Sequence, residues 1–241
     1  QGNRGWGFAD LLPIFKAIED NQAGADEWRG RGGPVHVSDC TAFAPKLTAR
    51  YLKAAEQAGL PINADFNGAT QEGAGIYQIS TRNGRRMSAA RAFLRPAMKR
   101  PNVRVETNAL VTRILFEGKR ASGVEYERNG QKLTARAGRA VIVSAGSVNT
   151  PQLLQLSGIG PGGHLKSLGI DVLLANENVG RNLQDHVGIN YTYKGREATL
   201  NQILRPWWGK MLVGMQYLLL RRGPLSLSMN HGGGFFRTDP S

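Results

Sequence analysis

A run of small residues between an apolar stretch and a helix start is the part of this sequence best suited to chemistry. The apolar stretch is Ala140–Val143, the small residues are Ser144–Ser147, and Thr150-Pro151 is typical of a helix start. Small residues let a ligand approach the backbone, and the first turn of a helix offers unpaired N–H groups. The spacing therefore indicates a site for an anionic or dinucleotide ligand, or alternatively a turn whose small residues serve packing alone.

Histidine and cysteine, the other common carriers of chemistry, are few and scattered. The four histidines, His36, His164, His186 and His231, do not show the spacing of metal ligands. The single cysteine, Cys40, excludes an internal disulfide and a cysteine-only metal cage. We therefore expect no metal site.

The elements that must position the small-residue turn are strands that come before it and a helix that comes after it. Three strands are predicted at Leu110–Glu117, Ser122–Glu127 and Lys132–Ala137, with an Asn129-Gly130 turn typical of a tight hairpin. The continuous apolar character of Ala140–Val143 predicts a strand buried on both faces. Further helices are predicted at Gly5–Asp20, Pro45–Ala58 and Thr150–Leu156.

The chain is strongly basic, with 31 Lys and Arg against 18 Asp and Glu and a formal net charge of +13. The stretch from Arg82 to Arg139 alone holds 15 basic and four acidic residues. Such a block suggests either a nucleic-acid partner or a face that meets solvent and anionic ligand phosphates. Only Phe93, Phe116 and Tyr126 supply aromatic rings in it, and no nucleic-acid motif is present. We therefore predict no nucleic-acid partner.

The longest apolar run is too short to cross a bilayer. Met211–Leu220 contains Gln216 and falls well below the ~20 residues that a spanning helix needs, so we predict no transmembrane segment. Together with Trp207-Trp208, this run is expected to pack in a core, or alternatively to form a pocket wall. One free thiol suits a reducing interior, which predicts a cytoplasmic protein.

Several motifs around the small-residue turn occur in a fixed order along the chain. Ala145–Pro161 reads AGSVNTPQLLQLSGIGP, Asn178–His186 reads NVGRNLQDH, and upstream stand Ser88–Leu94 (SAARAFL) and Phe116–Tyr126 (FEGKRASGVEY). In this order they resemble the second signature and the neighbouring blocks of the glucose–methanol–choline (GMC) flavoprotein oxidoreductases. The choline dehydrogenase-like branch is the most similar one.

The resemblance implies an α/β (α+β) fold. Part of a Rossmann-type FAD-binding domain would be interleaved with part of a substrate domain that is built on an antiparallel sheet. Residues 1–100 would be a helical and loop segment that links the two domains. Residues 101–186 would be the FAD-domain portion, with the β-meander, the buried strand and the second signature, and residues 187–241 would begin the substrate-binding domain.

The resemblance also implies an FAD enzyme that oxidises a primary or secondary alcohol by hydride transfer to the flavin. Its cofactor-binding residues would be Val111, Ala145, Gly146, Asn182, Asp185 and His186. His231 would line the pocket for a small-molecule alcohol. The alternatives are a hydrogen-bond network at a helix start for Asn182, Asp185 and His186, and a purely structural role for His231.

Two parts of the family pattern are missing from this sequence. No G-x-G-x-x-G follows a leading strand, and none of the four histidines occupies the motif of the family's catalytic histidine. We therefore expect an internal fragment without a catalytic residue of its own, inactive by itself and prone to self-association through exposed strand edges. The alternative function is a non-catalytic basic module on a GMC-like framework that binds nucleic acid or serves as a scaffold.

One position bears on the substrate. Choline-using relatives carry an acidic residue two positions after the Asp-His pair, where a carboxylate can face the quaternary ammonium. In this sequence that position is Gly188. The resemblance therefore predicts poor use of choline itself.

Overall fold

The computed structural model of the chain describes residues 2, 4–196 and 198–239. Its helices are α1 (Phe8–Ile18), α2 (Lys46–Gln57), α3 (Arg95–Ala97, directly after a π-helical turn at Ala90–Leu94), α4 (Gly146–Leu156), α5 (Gly162–Ser167), α6 (Leu200–Leu204) and α7 (Trp207–Leu220). Its strands are β1 (Glu19–Asn21), β2 (Val35–Val37), β3 (Gly73–Ile76), β4 (Thr81–Arg82), β5 (Arg85–Arg86), β6 (Leu110–Glu117), β7 (Arg120–Arg128), β8 (Gln131–Arg136), β9 (Ile159–Gly160), β10 (Leu174–Ala175) and β11 (Gly232–Phe235). This mixture of helices and strands confirms the predicted α/β (α+β) class. None of the described helices has the length and apolar character that crossing a membrane requires.

The chain divides into two compact units. The first unit takes the residues up to Val103 and those from Tyr193 onward, and the second is Arg104–Thr192. The assignment of 1–100, 101–186 and 187–241 to FAD-binding and substrate domains concerns ligands, and it stays a prediction.

The described part of the first unit holds three two-stranded sheets, one of which is the short antiparallel pair of β4 and β5. Strands β1 and β2 pair in parallel, and β3 pairs with β11 in antiparallel register, with Gly75 opposite Gly233. A Cβ atom on Gly75 would lie 2.1 Å from the carbonyl oxygen of Asn63. The glycine is therefore required here, because the neighbouring backbone comes too close for any side chain.

A three-stranded meander, β6-β7-β8, forms the base of the second unit. Asn129 and Gly130 have φ of +52° and +75°, as a two-residue hairpin turn requires, and they confirm the predicted turn. Ile114 of β6 is buried, and its N–H donates to Ser157 Oγ at 2.8 Å. Because Ser157 directly follows α4, this bond fixes the end of α4 against the meander.

Two predicted elements differ from the structure near the small-residue turn. The strand at Ala140–Val143 is wrong, because none of the described strands runs beside it and Ile142 is 88% exposed. A strand needs hydrogen bonds from a neighbour, which an apolar pattern alone does not supply. Helix α4 begins at Gly146, one turn before the predicted start at Thr150, and it contains Pro151.

Candidate functional site

The first turn of α4 presents backbone to its surroundings. Gly146 has φ of +87°, and a Cβ atom built on it would meet nothing within 4 Å. Ala145, the residue before the helix, is also exposed. The first N–H groups of this 11-residue helix have no acceptor within the helix. The turn can therefore accept an anionic group, as its small residues predict.

A groove of about 730 Å³ lies along α4, wholly within the second unit. Its described lining consists of hydroxyl and amide side chains, apolar side chains, one guanidinium and a glycine: Ser147, Val148, Pro151, Gln152, Gln155, Gly180, Arg181, Asn182, Leu183 and Gln184. Asn182, one of the predicted cofactor residues, therefore lines a groove beside the first turns of α4. The mixed lining suits a ligand with both polar and apolar parts.

The loop that forms the second wall of the groove is held closely against α4. The side-chain amide of Gln155 donates to the carbonyl oxygen of Val179 at 3.3 Å. Gly180 has φ of +82°, which favours glycine, and a Cβ atom on it would lie 2.8 Å from Gln155 Nε2, so a side chain there would be strained and would displace the Gln155 amide. Asn182 follows with φ of +56°, a conformation that asparagine tolerates better than most residues.

The sequence analysis did not predict that residues of α4 beyond Gly146 line the groove. Ser147, Pro151 and Gln155 lie four residues apart and therefore share one face of the helix. The four-residue spacing is visible in the sequence, but it predicts a shared helix face only if the helix begins at Gly146, before the expected start at Thr150.

Five of the six predicted cofactor residues lie outside the described lining of this groove, although Ala145 and Gly146 directly precede Ser147, which belongs to it. Val111 is on β6, opposite Tyr126, next to an irregularity in the pairing of β6 with β7. Asp185 and His186 are exposed, and the His186 N–H donates to Asp185 Oδ1 at 2.7 Å. The structure therefore places Asn182 in the groove lining, Ala145-Gly146 and Asp185 next to lining residues in the chain, and Val111 on a different element, β6.

His231 lines a cavity of about 870 Å³ in the first unit. Apolar and cationic side chains share its described lining, among them Phe43, Leu47, Tyr51, Leu200, Ile203, Leu227, Met229, Lys46, Arg50 and Arg196. The carbonyl oxygen of His231 accepts the N–H of Tyr77 at 3.0 Å, which holds the residue at the start of β11. A cavity of this size can hold a small molecule.

A polar cluster joins β1 to β2 in the first unit. Asp20 stands opposite His36 in the strand register, with Asp20 Oδ2 2.7 Å from His36 Nδ1 and 2.6 Å from an Arg82 nitrogen. These contacts and the Gly32 N–H, with the His36 hydrogen bond as the largest cause, lower the pKa of Asp20 to about 2. The contact between Asp20 and His36 links β1 to β2. The described residues contain no group of three or more acidic, histidine or cysteine side chains that could hold a metal ion.

Comparison with known proteins gives a consistent result. Residues 1–188 match the model of the N-terminal region of GMC oxidoreductases. The chain is 41% identical, over 99% of its length, to an oxygen-dependent choline dehydrogenase of Sinorhizobium medicae, and 43% identical, over its whole length, to the mitochondrial choline dehydrogenase of Homo sapiens. It spans 43% and 40%, respectively, of the lengths of these relatives.

A solved structure shows the same similarity. An FAD-dependent oxidoreductase from Chaetomium thermophilum superimposes with a TM-score of 0.86 at 29% identity, covering 96% of this chain and 43% of that one. The family match and these relatives confirm the resemblance inferred from the motifs. The chain belongs to the GMC oxidoreductase family.

Proposed function

We propose that this chain supplies part of the cofactor and substrate sites of an FAD-dependent enzyme that oxidises a small alcohol. The observation that carries the proposal is the open first turn of α4 at Ala145-Gly146, next to a groove with polar and apolar walls. A flavin dinucleotide has anionic phosphates and flat apolar rings, and both find suitable partners there. Membership of the family and the names of the relatives support the same function.

The residues of this chain would bind and orient, while the cofactor would supply the redox chemistry. FAD, when bound, accepts a hydride from the alcohol carbon. The N–H groups at Ala145-Gly146 would hold an anionic part of the cofactor, and the Asn182 amide would orient a polar edge. Val111, Asp185 and His186 remain proposed cofactor contacts. His231 would contribute a polar group to the wall of the substrate cavity.

The flavin spectrum of the purified natural protein tests this function. We expect bound flavin absorbance at visible wavelengths, and bleaching of that absorbance when an alcohol substrate is added without oxygen. A matched sample with a non-oxidisable ether should stay yellow. A colourless protein that retains no flavin absorbance after incubation with FAD and removal of free FAD by gel filtration would contradict the proposal.

The substrate is proposed to be a small alcohol other than choline. The relatives are named choline dehydrogenases, so choline is the first compound to test. Gly188 offers no carboxylate to a quaternary ammonium group. Gly188→Glu should lower the KM for choline and leave the KM for an uncharged alcohol unchanged. Gly188→Gln adds a side chain of nearly the same size without the charge, so it shows whether the charge or the size changes the KM. Equal use of choline by the natural protein and by Gly188→Glu would contradict this assignment.

A further inference from the structure

Gln155 is the side chain of α4 that meets the second wall of the groove. Its side-chain amide donates to the carbonyl oxygen of Val179 at 3.3 Å. Among the described residues, no other hydrogen bond joins residues 179–184 to α4. The loop that carries Asn182 is therefore tied to the helix by the amide of Gln155.

Two glycines pack against the same side chain. A Cβ atom on Gly160 would lie 2.9 Å from Gln155 Cγ, and one on Gly180 would lie 2.8 Å from Gln155 Nε2. Gly160 belongs to β9 and Gly180 to the loop, so backbone lies close to both ends of the Gln155 side chain. Gln155 is half-buried, whereas Gln152, one turn earlier on α4, is exposed. These contacts leave the Gln155 amide little freedom to turn away from Val179.

The loop is also braced by contacts within its own stretch of chain. The Arg181 N–H donates to the Asn178 carbonyl oxygen at 3.1 Å, and Arg181 Nη2 lies 3.2 Å from Glu177 Oε2. These contacts give the loop its shape, but neither of them reaches α4. The Gln155 amide is therefore the hydrogen-bonding group that sets how far the shaped loop stands from the helix.

We propose that Gln155 is a positioning residue for the FAD cofactor. Asn182 follows Val179 closely in the chain and lines the groove beside α4. Its φ of +56° fixes the direction of its amide only while the residues before it stay in place. By holding Val179, Gln155 would keep the Asn182 amide at a distance from α4 at which both can contact one ligand. This inference rests on the proposed function, in which Asn182 contacts the cofactor.

Gln155→Met in the natural protein tests this role. Methionine is about as long as glutamine, but it cannot donate a hydrogen bond. We expect the dissociation constant for FAD, measured by titration of the FAD-depleted protein, to rise about threefold to tenfold. Hydrogen exchange of the amides in residues 180–184 should become faster in the FAD-free protein. Gln131→Met makes the same change on the exposed strand β8, outside the groove, and should leave both measurements unchanged.

A double-mutant cycle shows whether Gln155 acts through Asn182. Asn182→Gly removes the side-chain amide and keeps the backbone conformation, because glycine adopts positive φ without strain. Asn182→Gly should weaken FAD binding, and adding Gln155→Met to it should cause little further loss. If the two losses multiply, Gln155 acts independently of Asn182 and the proposal is overturned.

A purely structural role for Gln155 would give a different result. Gln155→Met would then lower the unfolding free energy, while the circular dichroism of the flavin bands, measured at saturating FAD, would match that of the natural protein. The proposal predicts a changed flavin signal, because displacing Asn182 changes the surroundings of the bound cofactor. An unchanged signal, or unchanged FAD affinity in Gln155→Met, would overturn this inference alone. A natural protein without affinity for FAD would contradict the proposed function and this inference with it.

Discussion

At the scale of single residues, backbone conformation decides what the candidate cofactor site can offer. Gly146 reaches φ of +87° with open space around it, which leaves the first N–H groups of α4 accessible. Gly180 lets the neighbouring loop touch Gln155, and Asn182 turns the chain with φ of +56°. The chemistry of this groove therefore depends on conformations that few residue types adopt.

Gly146→Ala tests the importance of this conformation. Alanine at positive φ is strained, so we expect the unfolding free energy to fall by about 1–2 kcal/mol and bound FAD to be lost more readily. Urea denaturation and flavin absorbance after gel filtration measure the two effects.

Gly163→Ala is the matched control, because Gly163 also has open space for a Cβ atom but lies within α5 without positive φ. It should keep or slightly raise stability, since alanine favours a helix. If Gly146→Ala and Gly163→Ala change the unfolding free energy and the retention of FAD equally, the positive φ at Gly146 has no special role.

At the scale of elements, the cluster of Asp20, His36 and Arg82 makes the β1–β2 pair sensitive to acid. Asp20 has a folded-state pKa of about 2 against its ordinary value of 3.8. It therefore stabilises the fold above about pH 4, and this contribution is lost as the pH falls towards 2.

Asp20→Asn removes the carboxylate that titrates in this range. We expect the variant to be less stable near neutral pH and to lose less unfolding free energy between about pH 4 and pH 2. Denaturant unfolding across this pH range measures both changes.

His36→Gln completes a double-mutant cycle with Asp20→Asn. Because His36 is the main partner of Asp20, His36→Gln should lower the unfolding free energy of the natural protein. In the Asp20→Asn variant the same substitution should change the unfolding free energy little. Additive effects of the two substitutions would show that the pair does not interact.

Elements whose partners lie nearby in the chain could be predicted from the sequence. The Asn129-Gly130 hairpin and helix α2 depend on local turn chemistry and spacing, and both form as predicted. Ala140–Val143 needs a distant neighbouring strand, so its apolar pattern predicted an element that the structure lacks. The loop at 180–184 owes its place to contacts with α4, which no local pattern encodes.

At the scale of the whole molecule, Ala140–Val143 is a partly exposed apolar stretch, with Ile142 88% exposed, and no strand among the described residues pairs with it. Such a stretch can pair with the same stretch of a second copy, so we predict concentration-dependent self-association. Ile142→Lys should reduce it strongly, because a charge within a short apolar segment opposes pairing. Light scattering over a range of protein concentrations measures the change.

Leu168→Lys is the control for this prediction. Leu168 is also an exposed apolar residue of the second unit, but it follows α5 and is not in the exposed stretch. If both lysine variants reduce self-association equally, general surface charge is responsible and strand pairing is not.

The pairing of β3 with β11 has a consequence for synthesis on the ribosome. About 160 residues separate the two strands along the chain, and the whole second unit, Arg104–Thr192, is made between them. The nascent second unit can thus fold as soon as it emerges, because its strands are close in sequence. The first unit must wait with an unfinished sheet until residue 235 has been translated.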